Sequence, residues 1–471
     1  MTDQTAKVAM GEPAGRWLLF ATVLGSGVAL LDATIVNIAL PTIGQDLGAD
    51  FSGLQWTVNG YVLTLAAFIL LGGALGDRYG RRRVFVVGTI WFAVASLLCG
   101  LAPNVEALVA ARLLQGVGGA LLTPGSLALI SASFRHEDRS RAIGAWSGLG
   151  GIAAALGPVL GGLLVEVSWR LVFLVNVPLC MAVVLVTLRH VPESRDEQAP
   201  PGLDVAGALL GAVGLAALTW SLIAAGERGA DPVVVSAGVA GVGALALFLV
   251  VEKRGRHPMM PLDVFSEPQF NAANAVTFAV YAGLGGMFLL LVVHLQTVAG
   301  FSPLAAGTAL LPVTAAMALL SSRSGALAAR IGPRLQMTAG PLLCAAGALL
   351  LRGIGPDADY VTDVLPGVVL FGLGLATVVA PLTATVLAAV EDRRSGLASG
   401  INNAVARTAG LLAVAVLPAA AGISGADYDV PARFAEGYRT AMLLIAALLA
   451  LGGMLSALTI RNGRAPSDGW V

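Results

Sequence analysis

The chain has 471 residues, of which 57% are hydrophobic and 12% charged, and its formal net charge at pH 7 is zero. Soluble globular proteins contain about 25% charged residues, so this composition excludes a water-soluble fold and predicts a polytopic membrane protein. Its three cysteines, Cys99, Cys180 and Cys344, lie in apolar runs without the spacing of a disulfide framework or a metal site. We therefore expect no metal, no cofactor and no nucleic-acid partner.

Long apolar runs recur along the whole chain. A helix needs about 20 apolar residues to cross the hydrocarbon of a bilayer. Its backbone bonds are all made internally, so repeated runs of this length predict an all-α integral membrane protein. The fourteen predicted spans are, in chain order, 17–39, 55–76, 84–102, 106–132, 141–165, 170–189, 203–225, 232–251, 269–298, 304–326, 335–354, 364–389, 396–422 and 438–460.

Basic residues test the orientation of these spans independently of hydropathy. If the spans alternate and the amino terminus is cytoplasmic, the cytoplasmic segments contain 21 of the 28 basic residues and the outer segments contain five. The remaining two, Arg112 and Arg407, fall within spans. Basic residues near span ends stay on the cytoplasmic side. We therefore predict a multi-pass protein of the cytoplasmic membrane with both termini in the cytoplasm.

The two halves of the chain contain related segments. Gly73–Arg82 follows the second predicted span, and the similar Gly325–Arg334 follows the tenth in the same register. Glu137-Asp138-Arg139 before the fifth span recurs as Glu391-Asp392-Arg393 before the thirteenth. Parallel six-helix repeats are typical of one large class of secondary transporters. The predicted division is an N-terminal six-helix bundle (1–190), two additional transmembrane helices with cytoplasmic linkers (191–260) and a C-terminal six-helix bundle (261–471).

Asp32 is the one carboxylate with a long apolar run before it and apolar, helix-compatible sequence after it. A charged side chain at bilayer depth costs about 2.5–3.5 kcal/mol on insertion scales, so such a residue indicates a functional site. The predicted span 17–39 places Asp32 in the outer half of the first helix. Because burial disfavours the charged form of a carboxylate, we expect Asp32 to take up and release a proton, and to contact substrate only secondarily.

The loop after the second span contains regularly spaced glycine and charged residues. Gly73 and Gly80 permit close backbone approach and a tight turn. Asp77 can meet the N-terminal dipole of a neighbouring helix and an arginine of an adjacent loop. With Arg78 and Arg81 it is interpreted as a conformational latch; the alternative is a simple cytoplasmic anchor of positive charge.

Two further groups of residues lie within predicted spans. Arg112 lies near the start of the fourth span, where an unpaired guanidinium would be costly. It is either a structural ion-pair or carbonyl-capping residue, or it tunes proton exchange. Gln115, one turn further on, faces nearly the same side and either bonds the guanidinium or lines a cavity.

The small residues Gly157, Gly161 and Gly162, with Pro158, form a surface that another helix can approach closely. Pro158 also frees a backbone carbonyl and favours a kink. Packing alone is the alternative interpretation of this segment.

The second half of the chain contributes two candidates. His294 in the ninth span is either a hydrogen-bonded residue near the outer interface or a group that titrates near physiological pH. Arg407 in the thirteenth span either anchors the second half or lines the cavity.

Four ordered segments resemble motifs of the major facilitator superfamily, and the extra helix pair resembles its fourteen-helix drug:proton antiporter branch. The segments are the loop Gly73–Arg83, the span 4 motif Ala110–Gly116, the antiporter motif Gly151–Gly162 and the branch's span 1 signature Leu31–Pro41, which includes Asp32 and Asn37. The resemblance covers essentially the whole chain. It implies a multidrug efflux transporter with two six-helix bundles and two inserted central helices.

The resemblance also implies that Arg112 tunes proton exchange, and His294 stands where the branch usually has an aromatic residue. The residues expected at the coupling site or substrate cavity are Asp32, Asn37, Arg112, Gln115, His294 and Arg407. The antiporter motif implies export. The expected partners are a small hydrophobic or cationic drug-like substrate, protons and lipid, and the expected oligomeric state is a monomer.

The expected mechanism is a rocking of the two bundles around a central cavity, driven by the proton gradient. Two alternatives stay open at this point, and a third is disfavoured. The substrate is a specific metabolite or antibiotic made by the cell, or the chain is a solute:proton uptake symporter, which the antiporter motif disfavours. An intramembrane enzyme would need a paired nucleophile and base or a metal cluster, and the spans do not supply one.

Overall fold

Helices form nearly all of the regular structure in a computed structural model of the chain, which describes residues 8–196, 202–255, 258–391, 394–425 and 430–462. Within these ranges, thirteen helical segments are long and apolar enough to cross a membrane. The predicted all-α membrane fold is confirmed. Tertiary contacts divide the chain into two units; the first contains the chain up to Ser221 and Pro232–Met260, and the second contains Leu222–Asp231 and the chain from Pro261.

The first unit contains the helices of the first predicted repeat. These are α1 (Pro13–Leu47), α2 (Phe51–Tyr79), α3 (Arg81–Gly100), α4 (Val105–Ser133), α5 (His136–Val167), α6 (Leu171–Leu174) and α7 (Asn176–His190). Two further helices follow, α8 (Val205–Arg228), whose last turns belong to the second unit, and α9 (Pro232–Arg254).

The second unit contains the helices of the second predicted repeat. A 3₁₀ turn at Leu262–Ser266 precedes them, and a π-helical turn at Tyr360–Val364 leads into α14. The helices are α10 (Pro268–Thr297), α11 (Pro303–Ala309), α12 (Leu311–Ile331), α13 (Arg334–Leu351), α14 (Leu365–Ala388), α15 (Ser395–Ala420) and α16 (Pro431–Thr459).

Every predicted span overlaps one of these helices or a consecutive pair. The fifth span lies in α5, whose apolar part in the described residues is Leu156–Val167, so the count of fourteen stays a prediction. The first span is longer than predicted, because α1 continues through Pro41 to Leu47. A proline inside a helix removes one backbone hydrogen bond, and this helix tolerates that loss. The main part of the second unit starts at Pro261, and α9 groups with the first unit, while the three-part division remains a proposal.

Glycines set the close packing of the helices inside each unit. A Cβ atom at Gly116 would lie 2.2 Å from the backbone oxygen of Tyr61, so α4 rests directly on α2. A Cβ at Gly118 would lie 2.7 Å from the backbone nitrogen of Phe92, so α4 also touches α3. In the second unit Gly374 of α14 meets α13 equally closely. Lipid provides no hydrophobic drive between helices, so such close backbone contacts are their main source of association.

Both units tie the segment before their first helix to the start of their fifth long helix. In the first unit the N–H of Arg135 donates to the oxygen of Val8, and the N–H of Met10 donates to Oδ2 of Asp138. In the second unit Arg394, just before α15, donates to Asp263 in the 3₁₀ turn. This hydrogen bond lowers the pKa of the Asp263 carboxyl. The common contact supports the predicted repeat, although residues 392–393 of the repeated motif lie outside the described residues.

Replacing Gly116 by alanine should destabilise the protein, because the new methyl group would collide with backbone atoms of α2. Overpacking of this kind costs about 1–3 kcal/mol. Gly211→Ala in α8 is the matched control, since nothing lies within 4 Å of the Cβ position there. Thermal unfolding in detergent measures both, and equal midpoints for the two variants would contradict the assignment of the α2–α4 contact.

Candidate functional site

A fully buried ion pair joins α1 to α4 in the first unit. Nη1 of Arg112 lies 2.6 Å from Oδ2 of Asp32, and the two residues are 1% and 0% exposed. Asp32 lies nineteen residues after the start of α1 and fifteen before its end, nearer the middle of the helix than the predicted span indicated. Either charge alone would be costly to bury in the membrane, so the burial of each residue depends on the opposite charge of the other.

Three more side chains complete a closed hydrogen-bond network around this pair. Gln115 accepts from Nη1 of Arg112 at 2.6 Å and donates to Oδ1 of Asp32 at 2.8 Å. Asn176 of α7 donates to the same Oδ1 at 2.9 Å, and Ser96 of α3 accepts from Gln115 at 2.8 Å. The Asp32 carboxylate therefore receives three donors from two helices, and four helices meet at one polar point.

The guanidinium of Arg112 has partners besides Asp32. Its Nε donates to the backbone oxygen of Thr57 on α2 at 2.9 Å. Its Cζ lies 4.5 Å from the ring centroid of Tyr61 and 5.8 Å from that of Phe173, within the range of cation–π attraction. Arg112 is thus both an ion-pair residue and a carbonyl-capping residue, and it keeps several contacts if Asp32 becomes neutral.

The structure brings together some of the predicted site residues and leaves others apart. Asp32, Arg112 and Gln115 lie in one cluster. Asn37 does not join it, because its side-chain amide donates to the backbone oxygen of Ala33 on its own helix. The partners Ser96 and Asn176 were missed because small polar residues in apolar runs are common and signal no contact by themselves.

The two candidates of the second half lie in the second unit. His294 is fully buried; its Nε2 lies 3.0 Å from the backbone oxygen of Ile354, and its ring stacks on Tyr438 at 3.7 Å between centroids. These contacts match the hydrogen-bonded alternative for His294. Arg407 is half-buried on α15. The prediction that either residue faces a transport cavity stays a prediction.

The predicted antiporter motif packs against α1 immediately beside Asp32. A Cβ at Gly157 would lie 2.0 Å from Oγ1 of Thr34, and one at Gly161 would lie 3.3 Å from Cα of Ile35. Pro158 and Gly162 are buried in the same helix, α5. The glycines therefore allow α5 to approach the turn of α1 that follows Asp32. Any shift of α5 along α1 would displace the helix that holds the carboxylate.

The predicted latch loop, residues 73–83, is held by its own arginine and by a distant glutamate. Asp77 accepts from Nε of Arg81 at 2.9 Å, so its partner is in the same loop and not in an adjacent one. Glu193, beyond the end of α7, accepts from the backbone N–H of Arg82 at 3.0 Å and of Arg83 at 3.2 Å. Glu193, and not Asp77, thus caps the first turn of α3.

The turn between α2 and α3 needs the glycine that the sequence provides. Gly80 has a φ of 112°, and a Cβ there would lie 2.7 Å from Oε1 of Glu193. Close approach and a positive φ both exclude other residues. Among the remaining loop residues, Gly73 faces Pro124 of α4, and the guanidinium of Arg78 lies 5.3 Å from the ring of Tyr79.

The second unit repeats this arrangement with a neutral residue. Gly332 has a φ of 88° and lies against the side chain of Asn462, which follows α16. Oδ1 of Asn462 accepts from the N–H of Arg334 at 3.1 Å, as Glu193 accepts from the N–H of Arg82 in the first unit. The capping position after the last helix of each predicted six-helix repeat is thus shared, but only the first repeat has a carboxylate there.

Arg112→Met should destabilise the protein by about 3–5 kcal/mol, because it leaves Asp32 as an unpaired buried charge. Adding Asp32→Asn should restore part of that loss, since the second change removes the charge. Thermal unfolding midpoints in detergent measure both variants. Arg135→Met is the control, because its pair with Glu12 is about half exposed and contributes at most about 1 kcal/mol. A double variant no more stable than Arg112→Met would contradict the pairing.

Glu193→Ala should destabilise the first turn of α3 by about 0.5–2 kcal/mol, the usual cost of losing a capping side chain. Ser194→Ala is the matched control, because the backbone oxygen of Ser194 accepts from the N–H of Arg81 while its hydroxyl has no hydrogen-bond partner among the described residues. Hydrogen exchange of the α3 amides reports the effect. Equal exchange rates in the two variants would show that Glu193 does not cap the helix.

Comparisons with known proteins agree with this architecture. The Major Facilitator Superfamily profile matches residues 22–415. Multidrug resistance protein Stp of Mycobacterium tuberculosis is 39% identical over 403 residues, which cover 85% of this chain and 74% of that protein. Tetracenomycin C resistance and export protein of Streptomyces glaucescens is 37% identical over 402 residues, covering 85% and 74%.

A solved structure agrees at the level of the fold. It is described as a bacterial homolog to the human lysosomal transporter Spinster, has a TM-score of 0.68 at 17% identity, and is matched over 96% of this chain and 98% of that one. The family profile and the relatives show the family of the chain as well as its fold. The chain belongs to the Major Facilitator Superfamily and is a multi-pass membrane transporter, not an enzyme.

Proposed function

We propose that the protein exports drug-like molecules across the cytoplasmic membrane in exchange for protons. The observation that supports this most directly is the buried Asp32 carboxylate and its pairing with Arg112. A carboxylate inside the membrane is costly, and exchange of a proton provides a reason for its presence there. The names of the two relatives, a multidrug resistance protein and an antibiotic resistance and export protein, support export as the direction.

A proton on Asp32 would change the network in a defined way. Both carboxylate oxygens face donors: Oδ2 faces Arg112, and Oδ1 faces Gln115 and Asn176. A protonated carboxyl group becomes a donor itself and is a weaker acceptor than a carboxylate, so the hydrogen bonds from these three donors weaken. Neutral Asp32 would also lose its Coulomb attraction to the guanidinium. Protonation therefore loosens the tie of α1 to α4 and α7, and deprotonation restores it.

The arginine makes this cycle reversible. With Asp32 neutral, Arg112 keeps Gln115, the Thr57 oxygen and the Tyr61 ring, so its charge is not left without partners. The cluster then has one net positive charge, which disfavours a nearby cationic substrate. Proton and substrate thus favour different states of the first unit, and by linkage each drives the release of the other. Asp32 acts as the coupling residue and not as the main substrate contact, because it is fully enclosed.

The remaining parts of the proposal concern energy and placement. The proton gradient supplies the energy, with a contribution of about 2.3 kcal/mol per charge per 100 mV of membrane potential, and no cofactor is needed. The excess of basic residues in alternate segments supports cytoplasmic termini. The proposed functional form is a monomer in which Asn37, His294 and Arg407 contact substrate or line the cavity.

Asp32→Asn should abolish proton-coupled transport while preserving the fold, because asparagine is nearly isosteric but cannot exchange a proton. In proteoliposomes with an acid-outside gradient, we expect the wild type to move a cationic dye outward and to acidify the lumen. Asp32→Asn should reduce both signals to the level of protein-free vesicles.

Asp46→Asn is the matched control for this assay. Asp46 lies on the same helix, is about half exposed and accepts from Trp169 and Arg170 near the end of α1, far from the cluster. It should transport like the wild type. Dye movement that follows the pH gradient equally well in Asp32→Asn would overturn the coupling role of Asp32.

A specific exporter of one antibiotic is the second candidate, and the name of the tetracenomycin C relative favours it. A toxicity screen in a strain without its other pumps separates the two. Protection against chemically unrelated compounds supports multidrug export, while protection against one scaffold supports the specific exporter. Proton-driven accumulation inside cells would support the uptake symporter and contradict both.

A further inference from the structure

Two acidic residues outside the Asp32 cluster meet at the ends of α8 and α9. Asp204 immediately precedes α8, and its Oδ1 accepts from the N–H of Gly207 at 2.7 Å. Glu252 lies two residues before the end of α9, and its Oε2 accepts from the N–H of Met260 at 3.0 Å. Each carboxyl group thus uses one oxygen to hold a backbone N–H, and each has one oxygen left.

The remaining oxygen of each carboxyl group is buried, and both lie beside Gly207. Among the described residues, Oδ2 of Asp204 and Oε1 of Glu252 have no hydrogen-bond partner, and Glu252 is 2% exposed. A Cβ atom at Gly207 would lie 2.4 Å from the first oxygen and 2.9 Å from the second. Because both oxygens lie within 3 Å of that single position, they face each other across a short gap.

Two carboxylate oxygens cannot satisfy each other, because both are acceptors. Two like charges at this separation also repel strongly, and carboxyl pairs in such positions share a proton. Lys253 and Arg254 follow Glu252 in the chain, but among the described residues neither forms an ion pair with Asp204 or Glu252. Within the described part of the chain, the position between the two oxygens therefore lacks the donor that both of them need.

A divalent cation is a poorer occupant than a proton. Calcium and magnesium take six or more oxygen ligands, and here one oxygen of each carboxyl group is already committed to a backbone N–H. In the described part of the chain, no group of three or more acidic, histidine or cysteine side chains surrounds such a position.

We propose that Asp204 and Glu252 bind one shared proton and form a second proton site of this protein, separate from the Asp32 cluster. The proton joins the start of α8 to the end of α9. Through Met260 it also fixes the last residue of the first unit, directly before Pro261. Removing the proton leaves two facing negative charges, which favour separation of the helix ends.

Infrared spectroscopy of the purified full-length protein in detergent tests for the proton itself. We expect a carbonyl band of a protonated carboxyl group that persists at neutral pH in the wild type. Glu252→Gln and Asp204→Asn should each remove it. Glu227→Gln, an exposed acid near the opposite end of α8, is the matched control and should leave the band unchanged.

Gly207→Ala is the second variant, because its methyl group would enter the space between the two oxygens without altering either acid. We expect this variant to lose the band at a lower pH than the wild type. A band that is unchanged in all three site variants would overturn the proposal, and so would its displacement by added Mg²⁺ or Ca²⁺, which would assign the site to a metal.

Stability provides an independent measurement. A fold that retains a proton which the unfolded chain releases becomes less stable as the pH rises. Between pH 6 and pH 8 we expect the unfolding midpoint of the wild type to fall by about 2 °C or more relative to Glu252→Gln, whose amide donates to Asp204 at any pH. Identical pH dependence in the two proteins would contradict a shared proton. Neither measurement depends on transport, so the result is independent of the proposed export activity.

Discussion

The ion pair between Asp32 and Arg112 is the interaction on which the first unit depends. A carboxylate and a guanidinium are both expensive inside a membrane, and neither residue has an alternative partner of opposite charge within the cluster. Their attraction therefore sets the register between α1 and α4. Gln115 and Asn176 satisfy the rest of the carboxylate, so α7 is fixed in the same register. A change in a single proton consequently reaches three helices at once.

Glycines around the Asp32–Arg112 cluster determine which helices can move when Asp32 gains or loses a proton. Gly157 and Gly161 bring α5 against the turn of α1 after Asp32, while Gly116, one residue beyond Gln115, brings α4 against α2. Interfaces built from backbone contacts resist compression but allow sliding, because they contain few interlocking side chains. The polar cluster is therefore surrounded by surfaces that can shift as rigid helices. A buried polar cluster surrounded by glycine-lined helix contacts can switch between two conformations more easily than a core of interlocking side chains.

The sequence predicted the helices and the two buried charged residues, but it did not predict which residues contact each other. Hydropathy located every helix, because length and apolar composition are local properties. It also singled out Asp32 and Arg112 by their cost, yet it did not pair them, since nothing in one sequence fixes the register between α1 and α4. Glu193 was missed for the same reason, because its partners are more than a hundred residues away. The predicted first span ended at residue 39, before Pro41, whereas α1 continues to Leu47. A proline usually interrupts a helix in water, but neighbouring helices in a membrane protein tolerate it.

The capping residues after α7 and α16 have a consequence for biogenesis. The N-terminal turn of α3 is complete only when Glu193 has been synthesised, and that of α13 only when Asn462 has been. In each repeat this contact therefore joins the start of the third long helix to the residue that follows the last helix of the repeat. It can form only after every helix of that repeat has been synthesised.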